Sequence, residues 1–205
     1  MDKVTVLKDL SDEELAANAA AGSRSSFEEL ISRYSPRLFY FLRHKTASDQ
    51  NVEDLIQETF IKAFRNIGRF DPKRKFSTWL YTIATRQAVS LYRANKAKNP
   101  SLVPMASSQD PQEIVIRKQE SQNLWILARK LSQKEYKALW LYYAEDMPVN
   151  NIAEIMKKKK VTVRVLLHRA RTNLAKKMDK SVYSESFAGE NPAEHKFSFS
   201  EIGEI

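Results

Sequence analysis

The sequence predicts an all-α fold of two small helical modules joined by a flexible linker, the second containing a helix-turn-helix. Three observations point there. Only four glycines occur in 205 residues, and helix formers dominate between them. Val52, Leu55, Ile56, Thr59, Phe60, Ala63, Phe64 and Ile67 repeat at the i, i+3, i+4, i+7 spacing of a single helix face. The segment Asn99–Gln112, NPSLVPMASSQDPQ, holds three prolines and three serines and little apolar periodicity, which marks a linker over 99–112.

The first module is expected over 11–98. Asp12–Ala21 and Ser26–Lys45 read as helices, the second with Phe27, Leu30, Ile31, Tyr34, Leu38 and Phe41 turned inward. Asn51, with Asp54 three residues on, predicts a capped start for the helix that ends near Ile67. The next helix is expected from about Ser77 to Lys96, burying Leu80, Ile83, Ala84, Ala88 and Leu91.

The second module is expected over 113–180. Helical pattern resumes near Glu113 and runs through Leu124, Leu127, Ala128 and Leu131. Ser132 and Glu135 form a capping box ahead of Tyr136, Leu139, Trp140 and Tyr143. Pro148 suits the first turn of a helix presenting Ile152, Ala153 and Met156. A last helix over Lys160–Lys177 buries Val163, Leu167, Ala170 and Leu174. The tail, 181–205, is acidic, with Phe197, Phe199, Ile202 and Ile205 as scattered apolar groups. Its composition fits a disordered terminus, or a segment that screens the basic module or docks a regulator.

Composition excludes whole classes of function. Without cysteine there is no disulfide scaffold and no thiolate metal site, which fits a reducing compartment. The first residues are charged throughout and lack a signal-peptide core. No apolar run approaches the roughly 20 residues that span a bilayer. A cytoplasmic protein without membrane insertion is expected. The net charge of +9 is uneven: residues 123–180 carry +9 by themselves and 181–205 carry −4. Residues 65–98 hold nine basic side chains against one acid, Asp71. Two basic footprints suggest a long polyanion touched twice, although a solvated lysine-rich surface fits the charge equally well.

Catalytic constellations are absent. Asp54 and Glu58 could share Mg²⁺ at their i, i+4 spacing, but no third acid follows suitably nearby. His44, His168 and His195 are too scattered for an HExxH-type zinc site, and no glycine pattern cradles a nucleotide. No catalytic residue, metal or cofactor is expected, and the chain is not read as an enzyme.

The pair Pro148–Met156 and Lys160–Lys177 has helix-turn-helix proportions. Winding the second helix at about 100° per residue leaves Val161, Arg164, Val165 and His168 opposite the buried face, where they could enter a major groove. A plain αα-hairpin within a bundle is the alternative. The turn itself, Lys157–Lys160, is four lysines. A lysine in a left-handed turn costs around 1 kcal/mol relative to glycine. A lost Ser or Thr cap costs about 0.5–2 kcal/mol more. Cations at a helix N-terminus also oppose the macrodipole. Phosphates at that helix end would reverse the electrostatic part of this cost.

In the first module, the helix of 52–67 exposes Glu53, Asp54, Gln57 and Glu58. The basic loop Asn66–Lys75, NIGRFDPKRK, follows, and then Trp79, Arg86, Ser90 and Arg93 share one helix face. An aromatic beside guanidinium groups is chemistry suited to single-strand capture, where stacking on a base contributes about 1–3 kcal/mol. A core tryptophan with a solvated arginine edge is the alternative.

NVEDLIQETFIKAFRNIGRFDPKRKFSTWLYTIATRQAVSLYR resembles region 2 of the extracytoplasmic-function sigma factors of bacterial RNA polymerase. LSQKEYKALWLYYAEDMPVNNIAEIMKKKKVTVRVLLHRARTNL resembles their region 4. The resemblance covers roughly Ser11–Met178. It implies that Asp54, Leu55, Gln57, Glu58 and Phe60 dock on the β′ clamp helices of the core polymerase. It implies that the loop Asn66–Lys75, with Asn66, Arg69, Phe70, Lys73, Arg74 and Lys75, captures a flipped base of the −10 element. Lys75, Phe76 and Trp79 would lie where the family opens the duplex. Arg86 matches the arginine that opens its usual Arg-Asn pair, and Ser90 and Arg93 share that DNA-facing side of the helix. The second module would read the −35 element through positions including Thr162 and Arg164, beside Lys157, Lys158, Lys159, Lys160, Val161, Val165 and His168, and meet the β flap. Partners implied are core polymerase, promoter DNA and an anti-sigma factor, the free protein being a monomer.

The sequence departs from the family pattern at several positions. Gln87 stands where Asn is usual and Ser90 where Asp is common. Lys157, Lys158 and Lys159 replace Gly, an apolar residue and Ser, and Val165–Leu166 replace a Ser-Arg pair. A self-sufficient helix-turn-helix regulator with a sensing or dimerising N-terminal module is the other reading, and a basic membrane-surface scaffold a third.

Overall fold

The computed structural model describes residues 7–44, 49–98 and 119–185. The expected linker 99–112, the resumption of helix at Glu113, Lys45, His195 and the tail beyond Glu185 lie outside the described residues. Among the described residues, beside a helical stretch at 7–9, there are eight α-helices, one 3-10 turn and no strand. The chain divides into two compact units, the first centred on helices α1–α4 and the second on α5–α8.

In the first unit, α1 spans Asp12–Ala20 and begins with a full capping box between Ser11 and Glu14. Helix α2, Arg24–Arg43, starts from a Ser23 hydroxyl that accepts the Ser26 N–H. Helix α3, Asp49–Asn66, runs into a 3-10 turn at Ile67–Arg69, and α4 spans Phe76–Lys98. The core lies where α2, α3 and α4 meet. Leu30, Tyr34, Leu38, Phe41, Val52, Phe76, Leu80 and Tyr81 are all at or near zero exposure there. Each such large side chain contributes about 1.5–3 kcal/mol by leaving water.

Some expectations need correction. Helix α3 starts at Asp49 rather than at an Asn51 cap. The Asp49 carboxylate pairs with Arg43 at 2.9 Å, so an acid already occupies the first turn and the helix extends back to it. Ile31, Ile83, Ala88 and Leu91 are half-buried rather than inward, because each sits at the edge of its helix's apolar stripe. Phe64, assigned to the buried face, is 52% exposed, its ring meeting that of Phe27 with centres 5.0 Å apart.

In the second unit, α5 is Gln119–Ala128, α6 Gln133–Tyr143, α7 Val149–Met156 and α8 Lys160–Glu185. The Ser132 hydroxyl accepts the Glu135 N–H, and the Glu135 carboxylate accepts the Ser132 N–H at 3.0 Å. Glu135 also receives the Asn173 side-chain amide of α8 at 3.1 Å, so one carboxylate caps α6 and ties it to α8. Arg171 of α8 donates to the Tyr143 hydroxyl at 2.8 Å, a second tie between the same helices. Val163, Leu167, Ala170 and Leu174 are buried as the periodicity requires, together with Leu166. Pro148 precedes α7 instead of lying within its first turn. Its carbonyl accepts the Asn151 and Ile152 N–H groups, a role that needs no N–H of its own. Helix α8 passes the expected end at Lys177 and reaches Glu185, with no glycine or proline between to stop it.

Candidate nucleic-acid interface

Helix α3 presents an acidic ridge. Glu53, Asp54, Gln57 and Glu58 are exposed on its outer face. Leu55 and Phe60, expected on the same docking surface, are only 7% and 6% exposed. Their spacing puts them on the inward stripe, so they support the ridge from beneath and do not present a surface to a partner. The outer face continues instead into Ile61 and Phe64, 43% and 52% exposed, which sequence reasoning missed. The signal for Ile61 was available: it is an apolar residue that falls off the inward stripe. A ridge acidic at one end and apolar at the other is suited to a protein partner.

The basic loop between α3 and α4 is folded on itself. The Asp71 side chain accepts the Lys73 N–H at 3.0 Å and its carbonyl accepts the Arg74 N–H at 2.9 Å, a compact turn that leaves Arg69, Lys73, Arg74 and Lys75 exposed. Asn66 is half-buried, its amide donating to the Lys62 carbonyl at 2.8 Å. Phe70 of the loop and Phe76 at the start of α4, both expected to meet DNA, point inward: they are 8% and 0% exposed. Each ring lies against Trp79, with centres 5.4 and 5.7 Å away, and the two rings are 5.6 Å apart. Phe76 also meets Tyr34 at 5.5 Å, so burial fixes it as a core residue. Trp79 is half-buried, one part packed on the two phenylalanines and the rest reaching the surface. Neither simple alternative describes it alone: the indole packs on both phenylalanines yet is not fully buried. Arg86, Ser90 and Arg93 are exposed further along α4.

In the second unit, the turn between α7 and α8 places Lys157 at φ 51°, in the left-handed region. The Lys158 N–H donates to the Ala153 carbonyl at 2.9 Å, the six-to-one bond of a Schellman motif whose left-handed position usually holds glycine. Helix α8 then opens at Lys160 without a Ser, Thr, Asp or Asn before it. All nine residues expected to face DNA are exposed: Lys157, Lys158, Lys159, Lys160, Val161, Thr162, Arg164, Val165 and His168. Val161 and Val165 are 67% and 42% exposed, an arrangement a solvated helix gains nothing from but a thymine methyl would complement.

Other candidate chemistry does not assemble. Among the described residues no three His, Asp or Glu side chains are placed to hold a metal ion. His44 is the buried C-cap of α2, while His168 stands exposed on α8. No helix among the described residues is long and apolar enough to cross a membrane.

Two family models match the chain. Residues 30–98 match the family Sigma-70 region 2, and residues 122–174 match Sigma-70, region 4. The RNA polymerase sigma factor YlaC of Bacillus subtilis is 31% identical over 165 residues, 77% of this chain and 95% of its own. The ECF RNA polymerase sigma factor SigW of the same organism is 27% identical over 170 residues, 77% of this chain and 91% of its own. In fold, the chain is similar to the sigma factor RpoE solved with the anti-sigma factor NepR from Bartonella quintana. The TM-score is 0.62 at 21% identity, covering 75% of this chain and 96% of that one.

Proposed function

The chain belongs to the extracytoplasmic-function sigma factors of the sigma-70 family, which direct promoter-specific transcription initiation by RNA polymerase, and from this premise we propose how its surfaces divide that task. Residues 11–98 dock on core polymerase and open the −10 element, 113–180 read the −35 element, and 99–112 link them.

The ridge Asp54, Gln57 and Glu58, extended by Ile61 and Phe64, meets the β′ clamp helices. Arg69, Lys73, Arg74 and Lys75 neutralise phosphates of the −10 strand, and the exposed edge of Trp79 stacks on an unpaired base. Opening each base step costs on the order of 1.4 kcal/mol in lost stacking, and flipping a base costs a few kcal/mol more. Aromatic stacking of about 1–3 kcal/mol per base, with phosphate neutralisation, offsets much of this. Arg86, Ser90 and Arg93 line the path of the displaced strand.

In the second unit, α8 enters the major groove with Val161, Thr162, Arg164, Val165 and His168, while Lys157–Lys160 contact flanking phosphates. The observation that carries the reading is the exposure of all nine of these residues opposite a face buried by Val163, Leu166 and Leu167. Each module binds its element weakly, and polymerase engages both at once, so the contacts combine through effective concentration. Polymerase supplies the chemistry, and this chain catalyses nothing itself. It works in the bacterial cytoplasm, free as a monomer, and an anti-sigma factor binds it, as the structurally similar RpoE is solved in complex with the anti-sigma factor NepR.

Run-off transcription tests the proposal. Added to core polymerase, the protein should produce specific transcripts from a cognate promoter. Specific duplex binding by the isolated protein, without initiation, would support a self-sufficient regulator instead.

A further inference from the structure

Asp12 and Glu13 stand side by side in the first turn of α1, where carboxylates suit the helix dipole. The dipole asks only that they be there, yet both reach across to other elements. Asp12 accepts from the Arg33 guanidinium at 2.9 Å and from the Tyr34 hydroxyl at 2.5 Å. Arg33 also donates to the carbonyls of Leu7, Lys8 and Leu10, which fixes the start of α1 on α2. Glu13 reaches the other way. Its Oε1 accepts the backbone N–H of Phe76, the first residue of α4, at 3.0 Å, and its Oε2 lies 3.6 Å from the Lys75 ammonium.

The first N–H groups of any helix lack partners within the helix. The residue just before α4 is Lys75, whose side chain has no acceptor to offer. A Ser, Thr or Asp at position 75 would accept from the second or third N–H of α4, not from that of Phe76, and would remove a cation from the loop. A carboxylate sent from α1, 63 residues away, satisfies the N–H and leaves position 75 basic. The Glu13 side chain is 24% exposed, whereas Lys75 is 71% exposed and stays available to a phosphate.

We propose that Glu13 is a positioning residue for strand opening, because its carboxylate holds both the Phe76 N–H and the Lys75 ammonium where the basic loop joins α4. Glu13 itself touches no DNA. It anchors the downstream end of the loop, so that Lys75 and the Trp79 edge behind it meet the single strand in one arrangement. Tyr34 backs the same junction, with its hydroxyl on Asp12 and its ring against Phe76. This inference rests on the reading given under Proposed function.

The test uses the full chain with core polymerase and a promoter carrying 2-aminopurine in the −10 element. Glu13→Ala should slow opening roughly fivefold, the size expected for a lost cap. Glu13→Gln keeps an acceptor for the Phe76 N–H and loses the charge, so its slowing should be smaller. Both effects should shrink in a Lys75→Ala background, while affinity for polymerase and for a −35 duplex stays unchanged. Wild-type opening by Glu13→Ala would overturn the inference. So would equal slowing with and without Lys75, or a parallel loss of polymerase binding. A wild-type protein unable to open the promoter would count instead against the functional reading.

Discussion

The backbone N–H of Lys158 donates to the carbonyl of Ala153 across a turn whose middle residue, Lys157, is left-handed. That bond closes α7 in a conformation glycine adopts without strain, and the sequence places a lysine there. Replacing Lys157 by Gly should therefore stabilise the second unit by about 1 kcal/mol. The same change should flatten the dependence of log K on log salt for −35 binding by about one unit, if Lys157 meets a phosphate. Thermal unfolding and a salt titration of DNA binding measure the two. A protein both more stable and equally salt-sensitive would mean the lysine serves neither fold nor DNA.

Helix α3 separates support from contact in a way mutation can read. Phe60 is buried, so Phe60→Ala should cost about 3–5 kcal/mol of stability, visible as a lowered unfolding midpoint. Asp54 and Glu58 are exposed, so reversing both to Lys should leave stability within about 0.5 kcal/mol of wild type. The reversed protein should nonetheless lose core polymerase in a pull-down, since charge reversal places like charges across an interface.

Periodicity and capping chemistry made most of the fold legible. Ser132–Glu135 is a local signal and formed as read, and the buried stripe of α8 follows directly from the spacing of Val163, Leu167, Ala170 and Leu174. The exposed face of α8 was legible for the same reason, because exposure on one helix is the complement of its buried stripe. The first unit's site was less so. A motif marks which segment meets a partner but not which side chains point outward, and Leu55, Phe60, Phe70 and Phe76 turn into the core. Glu13 could not be found from local sequence, since it caps a helix that begins 63 residues later.

Lys137 lies half-buried on α6, and burial pushes its ammonium down to about 8 from an ordinary 10.5. The folded state thus holds this proton less tightly than the unfolded chain. Between pH 8 and 10.5 the unfolded chain binds more protons, so the contribution of Lys137 to stability rises with pH. Below pH 8 its full penalty is present. Lys137→Met should stabilise the second unit at pH 7 by an amount on the order of 1–3 kcal/mol, with a much smaller gain near pH 10. Denaturation followed by Trp125 and Trp140 fluorescence at the two pH values would check this. An equal gain at both would assign the effect to packing.

The indole of Trp79 packs partly on Phe70 and Phe76 and partly faces solvent, which makes its two roles separable. Trp79→Phe should keep most of the packing and much of the stacking edge, so opening should fall only a few-fold. Trp79→Ala removes both, at about 3–5 kcal/mol of stability and with the loss of about 1–3 kcal/mol of base stacking. Neutralising Lys73, Arg74 and Lys75 together alters only exposed side chains, so the first unit should remain folded and still bind polymerase. Opening by that variant should become less salt-dependent as well as slower, because three phosphate contacts are withdrawn. Permanganate reactivity of −10 thymines in the polymerase complex reads opening, and polymerase pull-down reads docking. Intact opening in both Trp79→Ala and the neutralised loop would move strand separation to another part of the complex.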